Sequence, residues 1–254
     1  MNRSYYSGTI AEFCTAGVDA VFAQMARRND FDLTGTQREA WIEQARLLQE
    51  ALAAHRGAIY LEFSIPRMGT RADAVVVIGP LVFVVEFKVG ERRFLAQDLD
   101  QVVDYALDLR NFHEGSHEAY IAPVLVCTNA RADRRQIPIE LPSDRLFPPA
   151  RTDAAGLGGA IDALLRLVQA EDVAIDRWER SGYKPTPTII EATLALYRGH
   201  AVADISRSDA GATNLTRTAG AVAEIIADAR RRSRKAVCFV TGVPGAGKTL
   251  VGLD

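Results

Sequence analysis

The sequence predicts an α/β protein, and three observations carry that reading. Two stretches with helical spacing come first. Runs rich in β-branched and aromatic residues follow, and two of them, LVFVVEFKV and IAPVLVCTN, are too apolar to be half-exposed strands. Between those two lies a striped helical pattern, the order that an alternating sheet-and-helix fold requires.

In chain order, Phe13, Val18, Val21, Phe22 and Met25 mark a helix from Ile10 to Arg27. A stronger one runs from about Thr36 to His55, where Trp41, Ala45, Leu48 and Leu52 recur at helical spacing and Thr34 or Thr36 can cap. AIYLEFSI at 58–65 is the first strand; PRMGT supplies a turn, ADAVVVI the second strand, Gly79-Pro80 another turn, and LVFVVEFKV a central strand. Leu95, Leu99, Val102, Ala106 and Leu109 then form one apolar helical stripe over 95–109. After the strand IAPVLVCTN the chain loosens from Arg131 to Leu157, with several prolines and arginines, before a helix near 158–170. The stretch RWERSGYKPTPT reads as a boundary between a domain at 1–180 and a second segment at 181–254. That segment is expected to hold helices at 188–199 and 216–231, then the strand VCFVTG.

Composition narrows the class. With 254 residues, 48% hydrophobic and 24% charged, the chain is an ordinary globular sequence able to bury a core. Its net charge of −2 means that nucleic acid would have to be held by a local basic patch. Cys14, Cys127 and Cys238 are odd in number and far apart, unlike a disulfide framework or a zinc site. No apolar run has the length of a membrane span and the N-terminus has no signal-peptide core, so a soluble cytoplasmic protein with no membrane partner is expected.

The chemistry concentrates in GTRADAVVVIGPLVFVVEFKVG. Glu86 and Lys88 are two apart at the end of an apolar strand, so both project from one face while Phe87 points to the other. Burying two charges costs several kcal/mol, roughly, unless something compensates, and a divalent cation beside the carboxylate would do so. Asp73 opens the preceding strand and can come alongside Glu86. Asp73, Glu86 and the main-chain carbonyl of Phe87 make the all-oxygen set that Mg²⁺ prefers. Such a site suits phosphodiester hydrolysis, with Lys88 positioning water or stabilising the developing charge.

This order, Asp73 and then Glu86-Phe87-Lys88, resembles the PD-(D/E)xK nuclease superfamily. Gln101-Val-Val-Asp-Tyr105 is similar to the Q-x-x-x-Y motif of its RecB-like and Cas4-like branches. The resemblance implies a mixed sheet flanked by helices and Mg²⁺ or Mn²⁺ as cofactor. It makes Asp73 and Glu86 metal ligands, Lys88 the catalytic lysine, and Gln101 and Tyr105 groups that support the substrate. Ala72 stands where the literal motif has proline. Such nucleases often add a further Glu, and Glu39, Glu43 and Glu62 are the candidates.

Gly242-Val-Pro-Gly245-Ala-Gly247-Lys248-Thr249 fits a phosphate-binding loop at every fixed position. Its glycines would turn backbone N–H groups toward phosphate oxygens, Lys248 would reach the β/γ-phosphates of ATP, and Thr249 would hold Mg²⁺. Only five residues follow Thr249, so the catalytic remainder of an ATPase is expected to be missing here. The segment from YKPTPTIIEA onward resembles the opening of superfamily 1 helicase-like ATPases. That resemblance implies nucleic acid as substrate, DNA more than RNA, with repair or antiviral roles. The expected function is a metal-dependent nuclease coupled to a helicase-like ATPase; the alternative is an inactive nucleic-acid-binding or interaction module. Among other features, the basic run Arg230–Lys235 suits a helix C-terminus. Arg131, Arg134 and Arg135, with Arg67 or Arg71, could touch phosphate, and His113 and His117 flank Gly115 in an expected loop.

Overall fold

Alternation of apolar runs with amphipathic stripes builds a single six-stranded sheet covered on both faces. The computed structural model describes residues 3–29, 34–65, 69–131, 137–184, 212–232 and 234–239. The chain divides into two compact units, Met1–Lys184 and Pro185–Asp254.

In the first unit β1 (Tyr6–Thr9) leads into α1 (Ile10–Thr15), α2 (Val18–Ala26) and α3 (Gly35–Leu52). The expected helix over Ile10–Arg27 is two helices, because Ala16 and Gly17 are extended between them. Thr9 and Glu12 close a capping box on α1, and Thr34 caps α3. β2 (Ala58–Ile65), β3 (Thr70–Ile78) and β4 (Leu81–Lys88) continue an antiparallel meander, then α4 (Ala96–Phe112) crosses to β5 (Tyr120–Cys127), parallel to β4. β6 (Ala150–Thr152) pairs parallel to β5 within the stretch expected to be irregular. α5 (Leu157–Leu167) and α6 (Ile175–Arg180) complete the unit. The sheet is therefore mixed and ordered β1 to β6.

Two cores sandwich it. α1, α2, α3 and α5 pack Phe13, Met25, Trp41, Leu48 and Ile161 on one face, while α4 and α6 pack Val102, Tyr105, Leu109 and Trp178 on the other. The division between Lys184 and Pro185 falls inside the stretch RWERSGYKPTPT, four residues after the boundary expected at 180, and α6 and Tyr183 pack with the second core. Trp178 is buried at the centre of that core and its indole N–H donates to Ser116 Oγ at 2.8 Å.

In the second unit, α7 (Ala212–Arg231) ends in the basic run, where Asp228 pairs with Arg231, Arg232 and Arg234. Residues 234–239 are exposed and irregular, and of the expected strand VCFVTG only 237–239 are described; Val237 and Phe239 have no ladder partner among the described residues. The helix expected over 188–199 and the phosphate loop Gly242–Thr249 lie outside the described residues. Among the described residues no helix is long and apolar enough to cross a membrane.

Candidate active site

The site forms where two strands part. The β3–β4 ladder runs from Ile78↔Leu81 to Ala74↔Val85 and stops. The next rung would pair Asp73 with Glu86. Instead the Asp73 carboxylate takes over the ladder's role, its Oδ2 accepting from Phe87 N–H at 2.7 Å. β4 meanwhile continues its parallel ladder with β5 through Lys88, so Glu86 and Lys88 stay rigidly placed on the face that α4 covers.

On that face Lys88 is surrounded by oxygen. Its Nζ donates to Glu86 Oε1 at 3.1 Å and to Gln101 Oε1 at 2.9 Å, and Asp98 Oδ1 stands 3.6 Å away. Burial alone would lower the lysine's pKa, but Glu86, then Asp98 and Asp73, outweigh it and hold the value above normal. Its carboxylate neighbours thus favour the ammonium form of Lys88. Gln101 in turn donates to Tyr105 OH at 2.8 Å, so the two residues one helical turn apart form a relay that orients the lysine.

The carboxyls are the opposite case. Burial raises the pKa of Asp73, Glu62 raises it further, and the Phe87 N–H and Lys88 only partly oppose them. Glu86 is raised by burial and then by Asp73, against Lys88. Glu86 is 4% exposed, and its Oε2 is enclosed without a hydrogen-bond partner among the described residues. Such an atom normally has a ligand, an ion or water.

The geometry chooses among the three candidate glutamates. Glu39 is exposed, and Glu43 pairs with Arg46 on the surface of α3. Glu62 lies opposite Asp73, between the pairs Leu61↔Ala74 and Phe63↔Ala72. Its pKa is raised by burial, against a hydrogen bond from Trp41 and the charge of Arg71, with Glu86 adding to the rise. Among the described residues, however, no three His, Cys, Asp or Glu side chains stand close enough to hold one ion between them.

Comparison with described protein families, curated proteins and solved structures returns no significant match. The chemistry of the site therefore has to be argued from its own groups. Two carboxyls raised first by burial and then by neighbouring carboxylates, a carboxylate oxygen without a partner among the described residues, and the Phe87 carbonyl suit a hard divalent cation with water completing its shell.

Other expected contacts are redirected. Arg71 is already engaged: its guanidinium donates to the Glu62 carbonyl at 2.9 Å and lies 4.2 Å over the Tyr5 ring. His113 and His117 do not form a metal pair. His113 is fully buried between α4 and a short 3-10 turn at Glu114–Ser116, with Nδ1 2.8 Å from Ser116 Oγ and Nε2 2.9 Å from Ser181 Oγ. All five groups are satisfied if Ser116 donates to Nδ1 and Nε2–H donates to Ser181, because Trp178 N–H already donates to Ser116 and Ser181 donates to Trp178 O. Burial then pulls the His113 pKa down to about 3.

Two site residues were not anticipated, Asp98 and Trp41. Asp98 sits three residues before Gln101 on the same helix face, a spacing that could have pointed to it. Trp41 carries no such signal, since a core tryptophan at helical spacing looks the same whether or not its N–H is used.

Proposed function

We propose that the unit Met1–Lys184 is a metal-dependent nuclease of the PD-(D/E)xK type that hydrolyses phosphodiester bonds in nucleic acid, DNA more readily than RNA. In this reading it works with a helicase-like ATPase to which the loop Gly242–Thr249, with Gly245, Gly247 and Lys248, would bind ATP. The observation that supports it most is the enclosed Oε2 of Glu86, without a hydrogen-bond partner among the described residues, with Lys88 paired to Glu86 on the same strand and Asp73 bonded to the Phe87 N–H between them.

Asp73, Glu86 and the Phe87 carbonyl would hold Mg²⁺ or Mn²⁺, which lowers the pKa of water and offsets phosphate charge. The remaining work falls to side chains that are already placed. Lys88, kept protonated by its carboxylate neighbours, presents positive charge where the phosphoryl oxygens gain negative charge. Gln101 and Tyr105 keep the ammonium from swinging toward Asp98 alone.

The test is cleavage of labelled single- and double-stranded DNA and RNA with Mg²⁺ or Mn²⁺, by wild type, Asp73→Asn and Lys88→Met. Both variants should lose cleavage. Metal-dependent cleavage that neither substitution alters would refute the assignment, and tight binding without cleavage by wild type would favour a silent binding module.

A further inference from the structure

One carboxylate in the site is left without a task by this reading. Glu62 has φ +51°, left-handed backbone in the middle of a strand, where a residue with a Cβ gives up about 1–2 kcal/mol. The conformation has a visible effect. Ile59 and Leu61 face the core under α1–α3, yet Phe63 and Ile65 face the core under α4. Across the ladder Ala74 and Ala72 divide the same way, so the normal alternation reverses at the one rung that carries Glu62 and Asp73.

Three contacts hold this kink. Trp41 Nε1–H, from α3, donates to Glu62 Oε1 at 2.7 Å. Arg71 binds the Glu62 carbonyl, and Tyr5 packs against both Arg71 and Trp41, whose ring centroid is 5.8 Å away. A carboxylate with no function would be more stable turned to solvent from extended backbone. This one is fixed by an indole, and among the described residues only its Oε1 is hydrogen-bonded.

We infer that Glu62 is a positioning carboxylate for the cation's water shell: Trp41 fixes Oε1, and Oε2 accepts a hydrogen bond from water on a divalent cation held by Asp73 and Glu86. The inference rests on the reading of Asp73 and Glu86 as cation ligands. An outer-shell place suits the described residues, among which no three acidic groups close on one point. It also suits Mg²⁺, which keeps several of its waters and is oriented through them.

The test is Mn²⁺ binding to the whole chain, followed by the paramagnetic signal of free Mn²⁺, in wild type and in Asp73→Asn, Glu62→Gln and Trp41→Phe. Circular dichroism melts of each check folding. Gln keeps an acceptor for Trp41 while removing the charge; Phe keeps the ring among Tyr5 and Phe22 while removing the N–H. Glu62→Gln should weaken Mn²⁺ about tenfold or more and Trp41→Phe less, the range seen for outer-shell groups. The double variant should bind about as Glu62→Gln does, because the tryptophan acts only through the glutamate. Wild-type affinity in Glu62→Gln, with binding lost in Asp73→Asn, overturns this inference and leaves the nuclease reading intact. Wild-type affinity in Asp73→Asn overturns the nuclease reading itself. If Glu62→Gln does not fold, Trp41→Phe decides alone, and undiminished affinity there overturns the inference.

Discussion

Replacing Asp73 by Asn in the metal-free protein should make the fold more stable, and only where carboxyls are ionised. Asn retains an oxygen that can accept from the Phe87 N–H at 2.7 Å, and it removes the charge that burial and Glu62 oppose. Each tenfold rise in a carboxyl's proton affinity on folding subtracts about 1.4 kcal/mol of stability once both states are ionised. Two such decades, ordinary for a buried pair of like charges, amount to about 2.7 kcal/mol. The lost attraction to Lys88 takes back a part, leaving a net gain of about 1–2 kcal/mol, or a Tm higher by about 2–8 °C for a domain of this size. The sign follows from the direction of both shifts. Asp73 and Glu86 are held above the ordinary carboxylate range, so the folded chain keeps protons that the unfolded chain has released. Stability is then whole below about pH 4 and falls as the pH rises through the folded values. Thermal melts in chelator at pH 4 and pH 8 should therefore show the gain only at pH 8. Saturating Mg²⁺ should reverse the order by stabilising wild type alone. An Asn variant no more stable than wild type at pH 8, or equally favoured at both pH values, would show that the pair is not held in repulsion.

Three further outcomes are expected. Lys88→Met should lower single-turnover cleavage by about 10²–10³-fold while Mn²⁺ affinity, read by titration, is kept, because the lysine acts on developing charge. His113, pulled down to about 3 by burial, contributes stability above its unfolded value near 6.5 that is lost as the pH falls toward 3. Denaturant melts from pH 7 to pH 4 should show this loss, and His113→Gln should flatten it while costing about 1–3 kcal/mol at pH 7 for groups left unpaired. Gly57→Ala should destabilise by about 2 kcal/mol or more, because a Cβ there would meet the Val77 carbonyl oxygen at 2.0 Å.

Much of this was legible in the residues. The central strands announced themselves because burial on both faces demands unbroken apolar runs, and α4 because one stripe had to meet them. β1 and β6 escaped because edge strands of four and three residues leave no periodicity to read. Asp73, Glu86 and Lys88 could be singled out because charge at the end of an apolar strand conflicts with its surroundings. Glu62 made the same kind of conflict inside AIYLEFSI, but its role could not be separated from that of Glu39 or Glu43. What distinguishes it is a backbone reversal and a partner from a distant helix, and neither leaves a local pattern. His113 shows the same limit: its spacing from His117 gives no sign that serine hydroxyls stand at both of its nitrogens.

The bond from Phe87 N–H to Asp73 has a hereditary consequence. One carboxylate serves both as the proposed ligand and as the substitute for a missing rung of the sheet, so the two roles cannot drift apart freely. A descendant that abandoned catalysis would still be selected to keep an acceptor at position 73, because a bare amide at Phe87 costs about 1–3 kcal/mol whatever the protein does. Position 88 carries no such debt to the backbone. In lineages that have lost activity the lysine should therefore decay first and the aspartate last, often no further than asparagine, and such relics would look more like enzymes than they are.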